Sequence, residues 1–92
     1  MERDIEKKLV AEVKKRGGLA VKLISPGMAG VPDRIVLLPK SKMAFVELKA
    51  LGKKLRPLQQ KRSKQFFALG FQVYCVDQLE MIGRVLDEIQ SP

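Results

Sequence analysis

Hydrophobic positions recur along the chain with two different periods, and the alternation between these periods predicts the order of helices and strands. Ile5, Leu9 and Val13 repeat every four residues, which predicts an amphipathic helix over Glu2–Arg16 that ends at Gly17. Short runs rich in apolar residues follow, and each run has strand length. The pattern predicts strands over 19–24, 34–38, 43–49 and 71–76, and two further helices over 57–69 and from Asp77 to the C-terminus.

The predicted order of elements is α-β-β-β-α-β-α, which indicates one small α/β domain over residues 1–92. Because only the turn 39–42 separates the second and third strands, we expect an antiparallel hairpin there. Asp77, with Glu80 three residues later, resembles a capping box at the start of the last helix. The expected architecture is a central mixed sheet flanked by helices.

The composition excludes several kinds of site. The chain has no histidine, which excludes a Ser-His-Asp triad and a zinc site with histidine ligands. Cys75 is the single cysteine and lies in an apolar strand, so we expect a small buried hydrophobic side chain and no reactive thiol. With four phenylalanines, one tyrosine and no tryptophan, the chain is unlike a platform on which bases of a single strand stack.

The charge favours a polyanionic partner. Lys and Arg number 18 against 10 Asp and Glu, giving a net charge of +8, which favours nucleic acid over an acidic membrane surface. No apolar run approaches the ~18 residues of a membrane span and no signal peptide is evident, so we expect a cytoplasmic protein. A chain of 92 residues buries little more than ~60% of its unfolded surface, and this marginal core favours a homodimer.

Two acidic residues and one lysine form the candidate catalytic group. The hairpin brings Asp33, at the start of one strand, towards Glu47 and Lys49 at the end of its neighbour, and the two-residue period places Glu47 and Lys49 on one face. Paired carboxylates suit Mg²⁺ or Mn²⁺, and an adjacent lysine could orient or deprotonate the water that attacks a phosphodiester. The alternative is a turn aspartate beside a solvated strand face. The strand is otherwise apolar, however, so its two charges need partners.

Three segments together resemble the signature of the VRR-NUC family, a branch of the PD-(D/E)XK nuclease superfamily. They are Gly30-Val31-Pro32-Asp33, Phe45-Val46-Glu47-Leu48-Lys49-Ala50 and Pro57-Leu58-Gln59. The resemblance covers nearly the whole chain, because stand-alone members of this family have about this size. It implies a restriction-endonuclease-like fold in which Asp33 and Glu47 bind the metal and Lys49 is the catalytic lysine.

The resemblance adds two further catalytic residues. One is Gln59, although the neighbouring Gln60 leaves that position open by one residue. The other is a glutamate of the first helix, which falls best on Glu6, with Glu2 and Glu12 also available.

Basic and polar residues near this centre are expected to contact the phosphate backbone of DNA. The candidates are Ser25, Arg34, Lys53, Lys54, Arg56 and Lys61, with Lys22, Arg62 and Lys64 nearby in the sequence. The alternative for any one of them is a charge that only keeps the surface soluble.

The resemblance implies a DNA endonuclease that depends on Mg²⁺ or Mn²⁺. Because stand-alone relatives resemble Holliday-junction resolvases in architecture, we expect a homodimer that cleaves four-way junctions. Two alternatives are a nicking or double-strand nuclease without junction preference and a DNA-binding module without catalytic activity.

Overall fold

The computed structural model describes residues 2–92 and confirms the predicted order of elements and the α/β class. The helices are α1 (Glu2–Lys15), α2 (Pro57–Ala68) and α3 (Met81–Gln90), and the strands are β1 (Leu19–Lys22), β2 (Arg34–Leu38), β3 (Lys42–Leu48) and β4 (Val73–Val76). Within the described residues, no helix has the length and apolar character needed to cross a membrane.

The four strands form one mixed sheet in the order β1-β2-β3-β4. β1 pairs with β2 and β2 with β3 in antiparallel fashion, so the predicted hairpin is confirmed. Its turn places Lys40 and Ser41 in the left-handed region, with φ of 66° and 62°, which suits the twist of a tight hairpin. β4 pairs with β3 in parallel, because α2 carries the chain back across the sheet between them.

The core lies between the sheet and the layer formed by α1 and α3. The four-residue spacing of Ile5, Leu9 and Val13 turns one stripe of α1 inwards, and all three side chains are buried. Alternate strand residues face them, among them Val36 and Val46. The remaining core side chains are Leu38, Ala44, Leu48, Val76, Ile82, Val85, Leu86 and Ile89. This packing fixes the end of the β2–β3 pair at which Asp33 and Glu47 lie.

The opposite face of the sheet is covered only in part. α2 packs there against β3 and β4, with the rings of Phe66 and Phe45 tilted by 56° and their centroids 4.7 Å apart. No helix covers the same face over β1 and β2 in the described chain, where Leu19 is 65% exposed, Val21 42% and Leu37 41%. We call these three residues the open sheet face.

Two local predictions are wrong. α3 begins at Met81, because Gln78–Glu80 first forms a turn in which backbone carbonyls satisfy the first donors of the helix. The expected capping box of Asp77 and Glu80 is therefore absent from the described structure, and Leu79 lies outside the helix. Cys75 is exposed and not buried, because it points away from the core face that its neighbour Val76 occupies.

Two strand boundaries differ from the prediction by two residues. β4 begins at Val73, two residues late, because Gly70 and Phe71 complete the turn that ends α2, with the Phe71 N–H donating to the Phe66 carbonyl at 3.1 Å. β1 ends at Lys22, two residues early, although the Leu23 N–H still donates to the Asp33 carbonyl at 2.8 Å.

Candidate active site

Asp33 and Glu47 meet across the β2–β3 hairpin. Arg34 is the register partner of Val46, so Asp33, one residue before β2, lies opposite Glu47. The two carboxyl groups lie close enough for Asp33 to raise the pKa of Glu47. Asp33 is held in place because its Oδ2 accepts a hydrogen bond from the Leu48 N–H at 2.9 Å. The hairpin therefore produces the carboxylate pair that the sequence predicts.

Ionisation is unfavourable for the Glu47 carboxyl group of this pair. Its side chain is only 2% exposed, and this burial raises its pKa from 4.5 to about 8, with the neighbouring Asp33 adding to the rise. Within residues 2–92, Glu47 Oε2 is buried and has no hydrogen-bond partner. A buried carboxylate oxygen without a donor is costly unless a cation or proton occupies the space before it.

Lys49 lies directly after β3 and supplies positive charge to the same site. Its backbone N–H donates to the Val76 carbonyl at 3.0 Å, which extends the pairing with β4 past the end of the strand. Its ammonium group lowers the pKa of Glu47 and so partly opposes the effect of burial. The structure therefore brings Asp33, Glu47 and Lys49 together.

The N-terminus of α1 forms the wall of an open pocket beside the carboxylates. The pocket has a volume of about 250 Å³ and is lined by Glu2, Arg3, Glu6, Asp33 and Leu48. Two of the three candidate glutamates of the first helix are therefore near the site, and Glu2 is close enough to raise the pKa of Glu47. Glu12 is not among the lining residues, and its carboxylate lies 3.9 Å from the Lys15 ammonium.

Arg34 is directed inwards and does not face DNA as the sequence suggested. Its guanidinium donates to Glu6 Oε2 at 3.0 Å and to the Ala20 carbonyl at 2.9 Å, and its side chain is only 15% exposed. These bonds tie α1 to β1 and β2 and orient the Glu6 carboxylate. The sequence signal for this internal role is that Arg34 is a basic residue at the start of an otherwise apolar strand.

Gln59 is buried in the first turn of α2, where its amide oxygen accepts a hydrogen bond from the Arg56 N–H at 2.9 Å. This bond caps the helix. No hydrogen bond in the described structure joins Gln59 to Asp33, Glu47 or Lys49. The neighbouring Gln60 is exposed and donates to the Leu55 carbonyl at 3.0 Å, so Gln59 is the one that points inwards.

The loop before Asp33 is fixed against α2. Gly30 has φ of +82°, and a Cβ at this position would lie 2.8 Å from Leu58 Cγ. Arg62 Nε donates to the Ala29 carbonyl at 2.8 Å, so Arg62 holds this loop and is not a free DNA contact. The contact between loop and helix explains why glycine stands two residues before the proline of the sequence signature.

The other predicted DNA contacts lie on the surface. Lys53, Lys54 and Arg56 are exposed in the loop between β3 and α2, and Lys61 and Lys64 are exposed on α2. Within the described residues, none of these five cations has an ion pair. Ser25 is half-buried in a turn closed by the Met28 N–H. We call the five cations the α2 basic surface.

Cys75 is a neighbour of the site that the sequence did not reveal. It is the register partner of Glu47 across the parallel β3–β4 pair. Although Cys75 is exposed as a residue, partial desolvation of its sulfur raises the pKa of the thiol, and the nearby carboxylates of Asp77 and Glu47 raise it further. The thiol is therefore a poor nucleophile. Only the parallel pairing, which local sequence does not encode, brings Cys75 to Glu47.

The residues of the site fit a divalent cation. No group of three or more Cys, Asp and Glu side chains forms a metal-binding cluster within residues 2–92. Mg²⁺ in enzymes of phosphate chemistry nevertheless requires only one or two protein carboxylates, since it retains several waters. Asp33 and Glu47 supply two such ligands, and the unsatisfied Glu47 Oε2 is the atom that a cation would stabilise.

Known proteins resemble this chain in sequence and in fold. No protein-family profile matches the chain. The chain is 51% identical over 80 residues to "Putative nuclease p44" of Acyrthosiphon pisum secondary endosymbiont phage 1, covering 87% of this chain and 86% of that protein. A solved structure described as a VRR_NUC domain superposes with a TM-score of 0.87 at 29% identity, covering 94% of both chains. The chain belongs to the VRR-NUC family of the PD-(D/E)XK nuclease superfamily.

Proposed function

We propose that this protein is a metal-dependent DNA endonuclease that hydrolyses phosphodiester bonds. The observation that carries the proposal is the convergence of Asp33, Glu47 and Lys49, with one carboxylate oxygen buried and unsatisfied. The name of the phage relative and the VRR_NUC structural match support nuclease chemistry. Water attacks the phosphorus in line, the bond to the 3′ oxygen breaks, and that oxygen takes a proton, which leaves a 5′-phosphate and a 3′-hydroxyl.

Each of the three residues has a separate role in this proposal. Asp33 and Glu47 would hold Mg²⁺ or Mn²⁺, which when bound would supply a Lewis acid for the phosphate and the water. The Lys49 ammonium orients the attacking water and offsets the negative charge that develops on the phosphate in the transition state. Glu6, oriented by Arg34, and Glu2 line the pocket through which water approaches. Gln59 fixes the first turn of α2 and positions the loop that precedes it.

DNA binds mainly through its phosphates. The α2 basic surface supplies cations that have no ion pairs in the described structure, and neutralising phosphates releases counterions from DNA. Affinity therefore falls as salt rises. The backbone N–H groups of the loop at Ser25 add a polar contact beside these cations.

We propose that this enzyme acts as a homodimer that cuts opposing strands of a four-way junction. Two cuts need two sites, and a two-fold dimer supplies them from identical chains. The protein exposes 6113 Å², about 700 Å² more than the roughly 5,400 Å² expected for a monomer of 10.4 kDa. A standard interface covers about 800 Å² of each partner, and the open sheet face is the apolar surface that such an interface would cover.

Cleavage of labelled DNA tests the proposal. The protein is incubated with a four-way junction, a linear duplex and a single strand, each with Mg²⁺, Mn²⁺ or EDTA. We expect cleavage of the junction with either metal and none with EDTA. Binding without cleavage under all conditions would favour a non-catalytic module, and equal cleavage of duplex and junction would favour a nuclease without junction preference.

Lys49→Ala tests the proposed catalytic role of the lysine. We expect cleavage to fall by about 100-fold or more, because the positioned ammonium no longer acts on the transition state. DNA binding in EDTA should change little. Lys15→Ala, an exposed lysine at the far end of α1, is the matched control and should cleave at the wild-type rate. Cleavage by Lys49→Ala at the rate of this control would contradict the role.

A further inference from the structure

The outer side of α1 carries a row of basic residues that the candidate site does not use. At 3.6 residues per turn, Arg3, Lys7 and Lys14 fall within an arc of about 40° on the side of the helix away from its buried stripe. All three are exposed, and the row extends about 16 Å along the helix. Arg3, at one end of it, lines the pocket that also contains Asp33.

Lys22 extends this row onto the sheet. It is exposed at the end of β1, where it is the register partner of Arg34, and it shares the face of the sheet with Ala20, which packs on the core beneath α1. We call Arg3, Lys7, Lys14 and Lys22 the α1 basic surface. It begins beside the carboxylates and leads away from them.

The cations of the α1 basic surface are not neutralised by the protein. None of the four has an ion pair within residues 2–92, whereas two acidic residues of α1 lie beside other cations: Glu6 binds Arg34, and Glu12 lies near Lys15. A face that served only solubility would normally mix charges of both signs. A row of unpaired cations instead resembles the footprint of a polyanion.

The α1 and α2 basic surfaces lie on opposite sides of the sheet. α1 packs on the core face with Val36 and Val46, and α2 packs on the other face through Phe45. The molecule measures 32 × 30 × 22 Å, whereas the persistence length of duplex DNA is about 50 nm. One straight duplex therefore cannot follow both surfaces, and the α1 basic surface begins beside the carboxylates.

We propose that the α1 basic surface binds the backbone of a second double-helical arm, while the α2 basic surface binds the first. The branch point then lies at Asp33 and Glu47. This inference rests on the proposed DNA cleavage and deepens it, since it makes the substrate a branched DNA whose arms diverge at the scissile phosphate. Duplex DNA carries one charge per about 1.7 Å of axis, so a 16 Å row of cations lies beside roughly ten phosphates.

Binding measured by fluorescence anisotropy in EDTA, where no cleavage occurs, tests the inference. The variant Lys7→Gln/Lys14→Gln is compared on a four-way junction and on a linear duplex of equal length, at several salt concentrations. Lys61→Gln/Lys64→Gln removes two lysines from the other surface. Lys40→Gln/Arg84→Gln is the matched control, because it removes the same net charge at positions outside both surfaces.

We expect Lys7→Gln/Lys14→Gln to weaken junction binding by about tenfold and to reduce the salt slope by about two, with duplex binding within twofold of the control. Lys61→Gln/Lys64→Gln should weaken binding to both DNAs. Junction binding equal to that of the control, or equal weakening on duplex and junction, would overturn the inference.

Cleavage by the wild-type protein separates the inference from the proposed function. If the wild type cuts DNA in Mg²⁺ and the Lys7→Gln/Lys14→Gln variant binds junctions as the control does, the second-arm surface is wrong and the nuclease stands. If the wild type does not cut DNA, yet its junction binding depends on Lys7 and Lys14, the second-arm surface stands and the proposed nuclease activity is wrong.

Discussion

Glu47 shows how a single side chain couples the site to the stability of the fold. The strand β3 buries it among apolar residues beside a second carboxylate, and its pKa of about 8 records the free-energy cost of ionising it there. Because the pKa is higher in the folded chain than in the unfolded chain, the stability that protonated Glu47 contributes is fully present below pH 4.5 and is lost as pH rises to about 8. A bound cation removes this cost.

Glu47→Gln should reduce the loss of stability with rising pH. In EDTA, we expect the wild type to lose thermal stability between pH 6 and pH 9, and the variant to lose less, because glutamine stays neutral. The measurement is Tm at both pH values. Glu88→Gln, at an exposed pair with Arg84, is the control and should follow the wild type. An equal loss of Tm in Glu47→Gln and wild type would contradict the buried, ionising carboxyl group.

Elements are held around the site by a small number of specific bonds. Arg34 joins α1, β1 and β2 through Glu6 and the Ala20 carbonyl. The loop at Gly30 joins the strand start to α2 by close contact. These two connections bring a helix to each side of the carboxylates, so each one affects stability and the geometry of the site together.

Arg34→Ala should lower the free energy of unfolding by about 2–3 kcal/mol, because it leaves the half-buried Glu6 carboxylate and a carbonyl without their donor. Arg34→Lys should recover little, since an ammonium cannot span both acceptors as the guanidinium does. Urea unfolding measures both. Arg84→Ala, which breaks an exposed pair, is expected to cost under about 0.5 kcal/mol. Equal costs at Arg34 and Arg84 would refute the internal role.

Gly30→Ala should destabilise the protein by about 1–3 kcal/mol. The new Cβ would approach the Leu58 carbonyl to 2.9 Å, and alanine tolerates φ of +82° poorly. Gly27→Ala is the matched control in the same loop, because a Cβ there meets no atom of the described residues within 4 Å. Urea unfolding of both variants decides: a Gly30→Ala protein as stable as the Gly27→Ala protein would show that the loop can move off α2.

The sequence predicts the elements that depend on short-range patterns. The β2–β3 hairpin follows from two apolar runs and a short turn. The prediction that Asp33, Glu47 and Lys49 lie together depends on this hairpin. The start of α3 was wrong because the turn at Gln78 competes with the Asp77 cap by satisfying the same donors. The inward direction of Arg34 and the approach of Cys75 to Glu47 depend on α1 and β4, which are distant in sequence, and no local pattern encodes them.

At the scale of the whole molecule, the open sheet face is separate from the two basic surfaces. The open sheet face lies over β1 and β2, while the cations concentrate on α1, α2 and the loop before α2. A dimer formed through the open sheet face would therefore leave both basic surfaces free for DNA. This separation allows self-association and DNA binding in one small chain.

Leu19→Asp/Leu37→Asp should convert the proposed dimer to a monomer, because the two leucines are register partners at the centre of the open sheet face and a buried carboxylate there lacks a partner. Light scattering after gel filtration gives the mass. Phe67→Asp/Leu69→Asp, which changes two apolar residues that are more exposed than Leu19 and Leu37 and lie near the end of α2, should remain dimeric. A monomeric wild type, or a dimeric Leu19→Asp/Leu37→Asp variant, would exclude this interface.

The hairpin that joins Asp33 and Glu47 also has a consequence for the order of folding. Only thirteen residues separate the two carboxylates, whereas the parallel pairing of β4 must wait for the whole of α2 to cross the sheet. Contacts between residues close in sequence form sooner than those that close long loops. The acidic pair is therefore assembled early, and the helix that carries the α2 basic surface docks onto a hairpin in which the chemistry is already in place.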